Sequence, residues 1–170
     1  MTMHIWTTDD EEWMRRCVEL TEVSGDDLPI GAIVVLDGKV VGERCNETVR
    51  VHEFHRHAEL LVLLEVEKAL SASEISQCTL YSSIEPCAMC SFALRKLNVG
   101  RVVFGLRSPM MGGYSKWKIL QDEGLAAAFA IENGCTPEIV PDVMKRTVID
   151  SWKRWNDEKW RRLSARGLFI

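Results

Sequence analysis

CTLYSSIEPCAMCSFALRKLNVGRVVFG, residues 78–105, is the stretch that decides the fold. Its first part, CTLYSSI (78–84), reads as a buried strand, and RVVFG (101–105) as another. Between them Pro86 suits the first turn of a helix running to about Leu97, where Asn98 and Gly100 are stop signals. Strand, helix and strand in that order form a crossover unit, which joins parallel neighbours in a sheet.

Upstream, IGAIVVL (30–36) and KVVGERC (39–45) flank Asp37-Gly38, a two-residue hairpin turn signal, so an antiparallel pair is predicted there. Residues 57–70, which contain LLVLLEVEKAL, have too few polar positions for a surface helix and are predicted to be largely buried. A first helix is predicted over 8–24, with Thr7 or Thr8 as cap and Trp13, Cys17 and Leu20 on one face. Downstream lie a Gly- and Met-rich loop from Arg107 to Lys116, one or two short helices within 117–135 and a short strand, PEIV (137–140). A last helix over 142–163 carries Met144, Val148, Trp152 and Trp155 at helical spacing. The order α-β-β-α-β-α-β-α-β-α predicts an α/β fold, a mixed sheet covered by helices.

With 170 residues, 46% hydrophobic and 27% charged, and neither repeat nor linker, residues 1–170 are expected to form one soluble domain. No stretch approaches the ~20 apolar residues of a membrane span, and the N-terminus lacks a secretory pattern, so the expected compartment is the cytoplasm. There the six cysteines should stay reduced. Cys17, Cys45, Cys78 and Cys135 read as small buried hydrophobes. The net charge of −4 gives no general attraction to nucleic acid, although residues 145–166 form a basic stretch, read either as a solvated face or as a phosphate contact.

The chemistry lies in His57-Ala58-Glu59 and Pro86-Cys87-Ala88-Met89-Cys90. Cys87 and Cys90, three apart at a helix start, face the same way, and the helix N-terminus favours the thiolate that binds metal. With His57 they offer two sulfurs and one nitrogen, a set that suits one Zn²⁺ per chain and leaves a fourth position for water. Glu59, two residues past the histidine, is placed to move protons rather than bind metal. Three other readings compete: a redox dithiol, a structural zinc with His52, His55 or Cys78 as fourth ligand, and a core histidine without metal.

On these residues the chain resembles the cytidine deaminase superfamily, and within it the tRNA adenosine deaminases and the guanine and cytosine deaminases. The matching pieces are EEWM, LPIGAIVV, Val41-Gly42-Glu43, Asn46, HAE, TLY, EPCAMC and RVVFG, spread from about Trp13 to Leu120. The resemblance implies a three-layer, cytidine-deaminase-like fold with a five-stranded mixed sheet between helices. It also implies a homodimer, a substrate contact from Asn46, and a backbone N–H near Ala58 that assists. Without it, Asn46 reads as a turn residue ending the second strand.

The chain departs from the family where substrate choice is made. Ahead of HAE the family usually shows Asp-Pro-Thr-Ala; here Glu53-Phe54-His55-Arg56 stands instead. His55 and Arg56 are either surface residues or rim contacts for an anionic or carbonyl-rich substrate. The loop after the fourth predicted strand becomes Pro109-Met110-Met111-Gly112-Gly113-Tyr114-Ser115, and Trp152-Lys153-Arg154-Trp155 with Arg161-Arg162 only loosely echoes the tRNA enzymes' ending. The expectation is a zinc-dependent hydrolytic deaminase of a small heterocyclic amine, with tRNA adenosine-to-inosine editing as the alternative and a non-catalytic zinc-stabilised binding protein as a third.

Overall fold

The hairpin forms where its turn signal stands: Asp37 and Gly38 take left-handed φ values of 50° and 68°, the pair a tight primed turn requires. It joins β1 (Gly31–Leu36) to β2 (Lys39–Cys45), which pair antiparallel with a register shift between Val34 and Val35. The computed structural model describes residues 6–129 and 136–170. β1 also pairs antiparallel with β3 (Thr79–Ile84), and β3 pairs parallel with β4 (Arg101–Leu106) across the predicted crossover. β4 in turn pairs parallel with β5 (Glu138–Val140), giving a mixed sheet of order β2-β1-β3-β4-β5.

The two-residue period of the strands sorts their side chains onto two faces. Ile33, Val35, Tyr81 and Val103 pack with Met14 and Cys17 of α1 (Thr8–Leu20) and with Val148 and Trp152 of the last helix. Ala32, Val34, Leu80, Val102 and Phe104 face the other way, onto Val62 and Val66 of α2 (Ala58–Ala69) and Leu94 from residues 88–96. Met14 and Trp152 are fully buried, and burial of each contributes on the order of 2 kcal/mol. Ala58, Glu59, Leu61, Val62, Leu63 and Val66 of α2 are buried, whereas Leu64 and residues 67–69 are exposed, so the expectation of burial holds for one face of the helix only.

α1 is fixed at its start by a polar cluster. Thr7 and Asp10 form a capping box, and the Asp10 carboxylate also accepts from Arg101 at 2.6 and 3.0 Å and from the Tyr81 hydroxyl at 2.9 Å. That carboxylate joins the helix to β3 and β4 at the sheet end away from Ile84 and Leu106.

Two features depart from the expectation, a short helix before β3 and a break within the last helix, while the helices between β3 and β5 stand where they were expected. A short α3 (Ala72–Ile75) precedes β3, started by a Ser71/Glu74 capping box that the spacing S-x-x-E already carries. α4 spans Ala88–Lys96 and α5 spans Leu125–Ala128, with single 3₁₀ turns at 21–23 and 119–121. α6 (Lys145–Ala165) is not one straight helix: Asn156 leaves the helical region at φ −165°, ψ 97°. Its Oδ1 accepts the Lys159 N–H at 2.8 Å, so Asn156 acts as an N-cap for a second segment. Cys17 and Cys78 are buried as expected and Cys45 is half-buried; Cys135 lies outside the described residues.

Candidate active site

The site lies where β3 ends and two helices begin. His57 is the N-cap of α2 and Cys87 the N-cap of α4, both with extended backbone, so the two helix starts converge on one point. His57 Nδ1 is 3.5 Å from Cys87 Sγ and 3.6 Å from Cys90 Sγ, and the two sulfurs are 3.6 Å apart. Tetrahedral zinc, with bonds of ~2.0–2.3 Å, sets neighbouring N and S ligands ~3.6 Å apart and two sulfurs ~3.8 Å apart. The three donors therefore fit a zinc ion without rearrangement. Among the described residues, they form the one cluster of this kind.

The competing fourth ligands are elsewhere. Cys78 is buried with its Sγ 3.3 Å from the Glu74 carbonyl oxygen, and His52 and His55 are exposed. The group that does approach the triangle is Glu59, whose Oε2 is 3.8 Å from Cys90 Sγ while Oε1 accepts from the Ser82 hydroxyl at 3.0 Å. Burial raises the Glu59 pKa above the usual carboxylate range. Cys87 is held down to about 4, first by the hydrogen bond from the Cys90 thiol and then by His57, against its burial. Cys90 is pushed up by the same bond and by burial, and the contact with Cys87 raises His57. One sulfur is thus already poised as a thiolate, the form that binds metal.

A cavity of about 190 Å³ opens beside this cluster, lined by His57, Glu59 and Cys87 and by Asn46 and Thr48 from the segment after β2. Asn46 Nδ2 donates to Thr48 Oγ1 at 2.9 Å and lies 3.5 Å from the buried Asp27. Asp27 also accepts the Val49 N–H at 2.6 Å, so it shapes the turn that presents Asn46. Ala58 is fully buried, and its N–H, in the first turn of α2, has no acceptor within the helix.

His55 and Arg56 do not line the cavity. His55 is exposed beside Glu53, and Arg56 pairs with Glu47 and lies 3.8 Å from Glu53. Both side chains are turned to the acids of the same loop.

Two parts of the site were not foreseen from the sequence. Glu85 is buried and accepts from the N–H groups of Ser108 (2.8 Å), Tyr114 (3.0 Å) and Ser115 (2.6 Å) and from the Ser115 hydroxyl (2.6 Å). It thereby folds the Gly- and Met-rich loop against the start of α4. The second is the chain's C-terminal part: Lys159, Leu163, Leu168 and Phe169 wall the cavity, whereas the tryptophans of α6 do not.

A family model, described as the cytidine and deoxycytidylate deaminase zinc-binding region, matches residues 7–106, and the chain belongs to that family. Its relatives include the tRNA-specific adenosine deaminase subunit tad2 of Schizosaccharomyces pombe, 31% identical over 132 residues. That match takes in 76% of this chain but 34% of the relative, so the chain spans about a third of that protein. The tRNA-specific adenosine deaminase of Bacillus subtilis is 34% identical over 120 residues, 68% of this chain and 74% of its own length. Among solved structures, guanine deaminase from Nitrosomonas europaea superposes with a TM-score of 0.67 at 20% identity, covering 86% of this chain and 84% of that one. This last likeness is one of fold.

Proposed function

We propose that the chain is a hydrolytic deaminase that replaces the exocyclic amine of a nucleobase-like ring with oxygen and releases ammonia. The observation that carries this reading is Glu59, a buried carboxylate beside the His57/Cys87/Cys90 triangle but outside it. A closed structural site has no use for such a group; a hydrolytic one needs a base and then an acid. Zinc held by His57, Cys87 and Cys90 supplies a positive charge that lowers the pKa of water toward ~7. Glu59 takes one proton from the attacking water and delivers it to the ring nitrogen next to the amino-bearing carbon; it then takes the remaining proton from the added hydroxyl and gives it to the departing amine, so that ammonia leaves and a carbonyl remains. Asn46 holds the ring edge, since an amide can both donate and accept, and the N–H of Ala58 faces the oxygen added to the ring.

On substrate, the relatives favour adenosine in tRNA over the free heterocycle that composition suggested, because both curated proteins named above carry that activity in their names. A tRNA anticodon arm is therefore the first substrate to test. One observation sustains the free heterocycle as second reading: Lys159, Leu163, Leu168 and Phe169 wall a cavity of about 190 Å³, below the ~300 Å³ at which drug-sized pockets begin.

Residues 1–170 are taken as one deaminase unit that works in the cytoplasm as a homodimer. Leu64, Phe92, Met110 and Trp117, each about half exposed, support self-association. Among the described residues no helix is long and apolar enough to cross a membrane.

The test is ammonia release from a tRNA anticodon arm and from amino-purines, amino-pyrimidines and triazines, at low and high salt. RNA turnover should fall steeply with salt and free-base turnover should not. Zinc-loaded protein that releases ammonia from none of them is a binding protein. Light scattering that gives a monomer mass at micromolar concentration removes the homodimer.

A further inference from the structure

We propose that Lys159 is a specificity-determining residue whose ammonium binds an oxygen of the substrate, either a ring carbonyl or a phosphate. This rests on the reading of the 190 Å³ cavity as the substrate site.

The argument is one of elimination among polar groups that line the cavity. His57 and Cys87 belong to the metal triangle, and Glu59 moves protons. The Glu85 carboxylate is saturated by its four donors from residues 108–115. What remains to read a substrate is Asn46, Thr48, the Ser108 hydroxyl and Lys159. Among the described lining residues Lys159 is the one Lys or Arg, so it supplies the fixed positive charge.

The chain holds that charge in place. The Asn156 break re-aims the second segment of α6, and the capped N–H is that of Lys159 itself. Lys159 and Leu163, four apart, share the helix face that lines the cavity. Gly167, at φ 72°, then turns the chain so that Leu168 and Phe169 complete the same wall. Phe169 lies 5.0 Å from the Trp152 ring and stacks on Trp160, and the Ile170 N–H donates to the Arg107 carbonyl at 3.1 Å. The wall is therefore anchored at both ends. The Lys159 ammonium sits 4.6 Å from the Trp155 ring centroid, a cation–π contact, and among the described residues no carboxylate is paired with it.

Calorimetric titration of the full chain with two ligand pairs tests this. Guanine against 2-aminopurine differs by a ring carbonyl; adenosine 5′-monophosphate against adenosine differs by a phosphate. In one pair the wild type should prefer the oxygen-bearing member, and Lys159→Met, which keeps the aliphatic stem on Trp155, should reduce that preference about tenfold or more. Lys159→Arg keeps a charge and should keep most of the preference, as should the exposed control Lys153→Met. The pair that responds names the source of the oxygen. Equal preferences in wild type and Lys159→Met for both pairs, or no preference in the wild type, overturn the proposal. A Lys159-dependent preference in a protein that turns nothing over sustains it and removes the deaminase reading instead.

Discussion

Glu85 and Gly112 compete for one small volume: a Cβ at position 112 would lie 1.8 Å from Glu85 Oε1. The end of a flexible side chain normally gives way, but this one is tied by four hydrogen bonds to residues 108–115. Gly112→Ala should therefore displace the carboxylate and release the loop that closes over Cys87. Leaving buried donors unsatisfied costs about 1–3 kcal/mol each, so a loss of roughly 2–4 kcal/mol is expected. Denaturant unfolding measures it, and an unchanged midpoint would show that Glu85 does not organise the loop.

The Asp10 cluster makes stability depend on acid. Burial raises the Asp10 pKa, but hydrogen bonds from Arg101, the Thr7 N–H and Tyr81 outweigh it and hold the carboxyl down to about 2, against 3.8 for the free group. A carboxyl lowered in the folded state adds stability that is present above pH 3.8 and lost as pH falls toward 2. The contribution near neutrality is on the order of 2 kcal/mol. Asp10→Asn should lower stability at pH 7 by that order and flatten its fall between pH 4 and 2. Parallel curves for mutant and wild type across that range would remove Asp10 from the acid transition.

The metal prediction follows from the donor triangle. Purified protein should carry about one zinc per chain, and Cys87→Ala or Cys90→Ala should lose it and weaken the fold. Metal analysis after exhaustive dialysis is the measurement. Full zinc in either mutant would break the ligand assignment.

Much of this was legible because the signals are local. Asp37-Gly38 needs only its own backbone to make the hairpin, and strand alternation needs only period two. His57, Glu59, Cys87 and Cys90 stand in two short segments at helix starts, so their convergence follows once the crossover unit is read. What escaped depends on contacts distant in sequence. Glu85 works through N–H groups more than twenty residues away, and nothing in its neighbours announces that. The α6 break had a local signal, an asparagine followed by Asp157 and Glu158 as at a helix start, but it sat within a run of helical spacing. That Lys159, Leu163 and Phe169 return to the cavity is a tertiary outcome. His55 and Arg56 drew notice as a departure from the family, whereas Glu47 and Glu53 already occupy them.

The remaining prediction concerns Glu59, because it separates an enzyme from a zinc-stabilised binding protein. Its carboxylate lies 3.8 Å from Cys90 Sγ and accepts the Ser82 hydroxyl, so it is fixed beside the metal triangle without being one of its three donors. Glutamine keeps the size of the side chain, and its amide oxygen still accepts from Ser82, but it cannot carry a proton. Glu59→Gln should therefore keep zinc and keep the fold. Substrate should still bind, since Asn46 and the cavity walls remain. Proton transfer by a positioned side chain contributes ~10²–10⁴ in rate, so turnover should fall at least ~10²-fold, in kcat rather than KM. Zinc content and deamination rate are measured on the same preparation. Undiminished turnover would take Glu59 out of the mechanism, whereas loss of zinc would make it a fourth ligand and favour a closed, structural site.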